Sequence, residues 1–151
     1  MIQPIKPTIP PRPPTLIEMF AELPIGWQKF MQSRIQGIES YLHINGIPKN
    51  VFNILQVKEK YGEALLYYHW DFDDTYTMVP DKIFTVVDGM VTNITIDSKY
   101  ICSQCGGKAT VETTGYILPY CDDCVPHPVF QPAPNKKTNI VEQGEKSNAD
   151  N

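Results

Sequence analysis

The chain has 151 residues, 42% of them hydrophobic, and a formal net charge of −4, which is apolar material enough for a single core. Between residues 16 and 125 eight Lys and Arg stand against fourteen Asp and Glu, a net of −6, so the central part lacks the overall cationic character that phosphate-backbone binding requires. No stretch of about 7–15 apolar residues follows a basic start, so no secretory leader is read here. A reducing cytoplasmic setting without membrane contact is expected.

Fourteen prolines are unevenly spread. Pro4, Pro7, Pro10, Pro11, Pro13 and Pro14 crowd the start, and residues 1–15 read as an extended polyproline arm. The segment Pro11-Arg12-Pro13-Pro14 could serve as a polyproline ligand, although a spacer is the simpler reading. Trp27, Phe30, Met31, Ile35, Ile38, Tyr41 and Leu42 then recur at helical spacing, with Gln28, Lys29, Gln32, Gln36 and Glu39 opposite, predicting a helix over 27–44. Asn45-Gly46-Ile47-Pro48 should end it.

Phe52 to Lys60 and Ala64 to Trp70 are β-prone runs joined by a glycine-containing turn at Tyr61-Gly62-Glu63, which predicts an antiparallel hairpin. Leu55 and Val57 are expected on one face, with Ile54, Gln56, Lys58 and Lys60 on the other. Asp71, Asp73 and Asp74 follow in an acidic loop. It lacks the glycine and distal glutamate of a calcium loop and reads as solvated, yet it is where a second metal would sit if one exists. Val79, Ile83, Val86, Val87, Met90 and Ile94 trace a helix face over residues 80–98, against the strand preference of their β-branched neighbours.

Cys102 and Cys105 form one Cys-x-x-Cys pair, and Cys121 and Cys124 form a second after fifteen intervening residues. A two-residue gap lets one tight turn aim two sulfurs at a common point, so the two pairs can close a tetrahedron around zinc. Two disulfides conflict with a reducing setting, a redox pair needs no second pair, and iron is the lesser competitor for four thiolates. Four protein ligands leave no open position, so the zinc reads as structural. Lys108 to Thr114 and Tyr116 to Tyr120 are expected as the strands between the two turns. The polar residues after them, 126–151, read as a disordered tail. The predicted organisation is thus an arm (1–15), an α+β core of helix, hairpin and helix (16–98), a zinc ribbon (99–125) and the tail.

Gly26-Trp27, Gln56-Val57-Lys58-Glu59-Lys60-Tyr61-Gly62, Leu65-Leu66-Tyr67-Tyr68 and Ile101-Cys102-Ser103-Gln104-Cys105-Gly106, in that order, are similar to landmarks of a family of small proteins of unknown function. Its members are mostly encoded by phages and prophages, and a Val-Lys-Glu-Lys-Phe-Gly-Gly-Leu-Arg-Phe-Tyr hairpin precedes a helix and a Cys-x-x-Cys-Gly ribbon. The resemblance covers residues 24–125 and departs at Glu63 and Leu66, where the family has glycine and arginine. It implies this fold and a viral or mobile-element origin, but no reaction.

No nucleophile–base pair, phosphate loop or open metal site is visible, so a non-enzyme is expected. His43 and His69 are isolated, and His127 follows the fourth cysteine, where the ligand shell is already full. The aromatic residues Tyr61, Tyr67, Tyr68, Trp70, Phe72 and Tyr76 exceed what one face of a small sheet buries, and are expected to contact a host or phage protein, plausibly a host-defence component. The competing expectation is a nucleic-acid-binding ribbon in transcription or replication control. It requires Lys49, Lys58, Lys60, Lys99 and Lys108 to gather on one surface.

Overall fold

The computed structural model describes residues 11–126 and the backbone of 131–132. In chain order they form α1 (Leu16–Phe20), α2 (Ile25–Ile44), β1 (Phe52–Lys60), β2 (Glu63–Trp70), α3 (Asp81–Ser98), β3 (Val111–Glu112), β4 (Pro119–Tyr120) and β5 (Gln131–Pro132). The α+β order of helix, hairpin and helix is as the sequence indicates. Most of the arm and tail, with His127, lies outside the described residues. Within them, Gln131–Pro132 pair with β3.

α1 is an element that the hydrophobic pattern did not announce, because five residues are too few to display a period. Its start is fixed by a capping box. The Glu18 amide donates to Thr15 Oγ1 at 3.3 Å, and the Thr15 amide donates to the Glu18 carboxylate at 2.7 Å. Arg12 adds an ion pair to Glu18 at 2.7 Å.

α2 buries Trp27, Met31, Ile35, Ile38 and Leu42, the stripe its spacing predicts. It ends in a Schellman arrangement: Gly46 takes φ +74, its amide donates to His43, and the Ile47 amide donates back to Leu42. α3 buries Ile83, Val87, Ile94 and Ser98, so the helical period outweighs the β-branched composition.

β1 and β2 pair antiparallel around Tyr61 and Gly62, which have φ +52 and +80. Two positive values make this the two-residue turn that matches strand twist. Val57, Ala64 and Leu66 point inward and are buried, and α3 packs against β2 on that side. The register slips between Ile54 and Gln56, so Leu55 is extra and stands 50% exposed. Leu55 therefore does not share a face with Val57, as strict alternation had suggested. The Phe52, Tyr68, Trp70 and Phe84 rings stack in a chain with centroids 5.0–6.0 Å apart, closing the core at the open end of the hairpin.

The cysteine-bearing segment carries shorter strands than expected. Thr113 Oγ1 accepts from the Leu118 amide at 3.0 Å and donates to the Tyr116 carbonyl at 2.7 Å. Together with Gly115 at φ +82, this converts residues 113–118 into a side-chain-held turn in place of a longer ladder.

Candidate metal centre and its attachment to the core

The two Cys-x-x-Cys turns are built from backbone bonds between neighbours. In the first, the Cys102 amide donates to the Gly107 carbonyl at 2.7 Å and the Gly106 amide donates to the Cys102 carbonyl at 2.9 Å. Gly106 adopts φ +78, a conformation costly for residues with a Cβ. In the second, the Cys124 and Val125 amides both donate to the Cys121 carbonyl, at 3.2 and 3.1 Å. A bond from the Ser103 amide to the Pro119 carbonyl, 2.8 Å, ties the first turn to β4 beside the second.

The four sulfurs lie within 4.8 Å of one another and could hold a metal ion. Cys105 Sγ and Cys121 Sγ are 3.7 Å apart, which is the edge of a tetrahedron whose centre is about 2.3 Å from each corner. No cysteine is in a disulfide, whose sulfurs would stand at ~2.0 Å. Burial pushes the Cys102 thiol up, but the surrounding backbone amides of Cys105, Cys121 and Gln104 outweigh it and bring the group down to about 7. Cys124 is pushed up to about 12, chiefly by the neighbouring Cys121 thiol. Four thiols this close do not all ionise unaided, and a divalent cation is what allows it. Ser103 is 3% exposed and its Oγ has no partner among the described residues.

This centre is fastened to the core at the start of α2. Pro24, at the N-cap, offers no capping side chain, and the Gly26 amide instead donates to the Ser103 carbonyl at 2.8 Å. A Cβ on Gly26 would lie 2.2 Å from the Cys102 carbonyl oxygen, and one on Gly106 would lie 2.8 Å from the Gly26 oxygen. Two glycines thus let backbone meet backbone. Trp27, fully buried, donates from Nε1 to the Ile101 carbonyl at 2.9 Å. The Gly26-Trp27 pair is legible in the sequence, but its partner across the fold is not.

A second attachment reaches the hairpin tip. Glu59 accepts from the Gly62 amide at 2.8 Å with one oxygen and from the Tyr116 hydroxyl at 2.7 Å with the other. Gly62 leaves room for Ile117, whose Cγ2 would lie 2.8 Å from a Cβ there. Glu63 pairs with Lys99, and Ser98 Oγ accepts from the Ala64 amide at 2.9 Å. Glu59 thus turns away from Lys58 and Lys60 and serves as a structural bridge, a role nothing in its sequence neighbourhood signalled.

The six aromatic residues singled out as one contact surface divide. Tyr61, Tyr67 and Phe72 are exposed, whereas Tyr68, Trp70 and Tyr76 pack against the core. The division follows from the pleat, since Tyr68 and Trp70 share the inward face with Leu66. The acidic loop is organised internally. Asp73 Oδ1 accepts from the Thr75 and Tyr76 amides, each at 2.8 Å, and Asp71 pairs with His69 and Asn53, both at 2.7 Å. Among the described residues the cysteines are the only cluster of three or more His, Cys, Asp and Glu side chains suited to a metal. Among these residues, too, no helix is long and apolar enough to cross a membrane. No protein-family model, curated protein or solved structure matches the chain.

Proposed function

We propose that the chain is a zinc-stabilised, non-catalytic module that binds another protein through the solvent side and tip of its β-hairpin. One observation carries this reading. The hairpin is covered by helices on its inner face, while the outer face leaves Leu55, Tyr67 and, at the turn, Tyr61 exposed at 50%, 41% and 77%. Exposed apolar and aromatic groups held on a rigid strand pair are the ordinary substance of a protein contact. The sulfur spacing supports zinc, and a four-thiolate shell supports a structural role, since no position is left for substrate. The similarity of residues 24–125 to phage-encoded proteins supports a viral or mobile-element origin, and with it a host protein, such as a defence component, as the partner in the host cytoplasm.

A photo-crosslinking amino acid in place of Tyr67, with a second at Ile44, 81% exposed on α2, tests the reading in host lysate. A single protein captured from position 67 and not from position 44 is expected. Equal capture from both, or capture of nucleic acid alone, would overturn it. Zinc bound one to one by elemental analysis is expected alongside.

The nucleic-acid reading keeps one favourable observation. Lys58 lies over the Tyr67 ring at 5.0 Å and Lys60 over the Tyr61 ring at 5.6 Å, a pairing also suited to stacked bases. Against it, Lys99 is neutralised by Glu63. Lys49 precedes β1 at the end away from the turn, and Lys108 belongs to the cysteine segment.

A further inference from the structure

Register places Gln56 opposite Tyr67, Lys58 opposite Leu65 and Lys60 opposite Glu63, all on the outward side of the hairpin. Residues two apart on a strand are about 6.7 Å apart, so the side chains of Lys58 and Lys60 leave the strand at that repeat. Neither makes an ion pair among the described residues; each instead lies over a tyrosine ring. Three of the nearby carboxylates are already engaged. Glu59 is held by Gly62 and Tyr116, Glu63 by Lys99, and Glu18 by Arg12 and Thr15. In a chain of net charge −4 this strip is therefore locally cationic. Beyond Lys58 it runs into a shallow groove between α1 and β1, where Leu55 and Tyr67 supply exposed apolar surface and Glu18 and Glu22 stand alongside.

We infer that the outer face of the hairpin binds an extended acidic segment of a partner protein, with alternate carboxylates on Lys58 and Lys60 and an apolar side chain in the Leu55–Tyr67 groove. This rests on the protein-binding reading above and adds the chemistry of the partner. An extended peptide repeats its side chains on one face at the same spacing as the strand beneath it, so carboxylates at positions i and i+2 match the two lysines. The groove selects protein over nucleic acid, since the carboxylate of Glu22, which has no ion-pair partner among the described residues, would repel a phosphate chain continuing past Tyr67, while an apolar residue is accepted there.

The test uses the full-length metal-loaded chain and fluorescent synthetic peptides. Each carries one leucine followed by two glutamates, either adjacent or separated by one residue, and a matched set carries lysines. A short oligothymidylate is the nucleic-acid arm. The separated-glutamate peptide is expected to bind best and to weaken about tenfold in the Lys58→Glu/Lys60→Glu variant, as for two exposed ion pairs. The lysine peptide should then prefer that variant. If the swapped protein loses its native circular dichroism, Lys58→Gln/Lys60→Gln replaces it and must still lose the acidic peptide. Equal binding of both glutamate spacings, indifference to the lysine changes, absence of peptide binding, or tighter binding of oligothymidylate overturns the inference. A protein crosslinked from position 67 would leave the broader reading standing in each of these cases except the last.

Discussion

Gly26 and Gly106 set how closely the cysteine loop can approach the main helix, and the tolerance there is nil on one side. Replacing Gly26 by alanine puts a methyl group 2.2 Å from a backbone oxygen that belongs to a cysteine ligand, so backbone must move. A loss of about 2–4 kcal/mol is expected in chemical denaturation, with weakened metal retention. Gly89 is the counter-example. It sits inside α3 with nothing within 4 Å of an added Cβ, so Gly89→Ala should gain about 0.5–1 kcal/mol. Opposite signs from the same substitution would locate the constraint at the close approach rather than in helix propensity. Tyr61 shows a different tension, because it holds φ +52 where asparagine would be easier and still leaves its ring 77% exposed. Relief of the left-handed conformation, about 1–2 kcal/mol, outweighs the exposed Lys60–Tyr61 contact, about 0.5–1 kcal/mol. Tyr61→Asn should therefore raise stability by about 0.5 kcal/mol while weakening partner capture. A residue kept only for the fold would show the reverse.

Among the elements, α1 depends most on charge. Its Glu18 is held down at about 2 by Arg12 first and then by the Thr15 amide and hydroxyl, against an ordinary value of 4.5. The support this gives is present above 4.5 and is lost as pH falls toward 2. Amide shifts of Thr15 and Glu18 should move together across that window, and Glu18→Gln should abolish the movement. The longer elements were legible because they repeat a signal: α2 and α3 carry a buried stripe over 20 and 18 residues, and the hairpin has two β-prone runs around a glycine turn. α1 was not legible because its helix is a local capping event. The Leu55 bulge was not legible either, since one extra residue leaves composition unchanged yet exchanges the faces of everything before it. The cysteine cluster was readable in full as four side chains brought together that could hold a metal ion. Its attachment through Gly26, Trp27, Glu59 and Ile117 was not, because each of these contacts joins residues more than fifty positions apart.

At the scale of the whole molecule, the metal centre and the proposed contact surface are mechanically joined. The cysteine segment supplies Ile101 to the Trp27 indole at one end and Tyr116 and Ile117 to the hairpin turn at the other. Short strands of two residues bury too little to hold it, so an ion bound by the four cysteines would provide most of its order. The packing of α2, α3 and the inner hairpin face involves no cysteine: Met31, Ile35, Ile38, Val57, Val87 and Ile94 are almost fully buried within it. Chelation, or Cys121→Ser, should accordingly leave the far-ultraviolet helical signal nearly intact while the cysteine segment unfolds. Trp27 reports the event, since losing the Ile101 carbonyl frees its N–H and admits water. In a Trp70→Phe background, where Trp27 is the remaining tryptophan, its emission should shift to the red as metal is removed and recover on adding zinc. Amide exchange at Tyr61 and Gly62 should accelerate in the same step, because Glu59 loses Tyr116 and Gly62 loses its cover. Unchanged exchange at the turn would uncouple the metal from the hairpin tip. Global loss of helix would mean that the centre holds up the entire core and not only the tip.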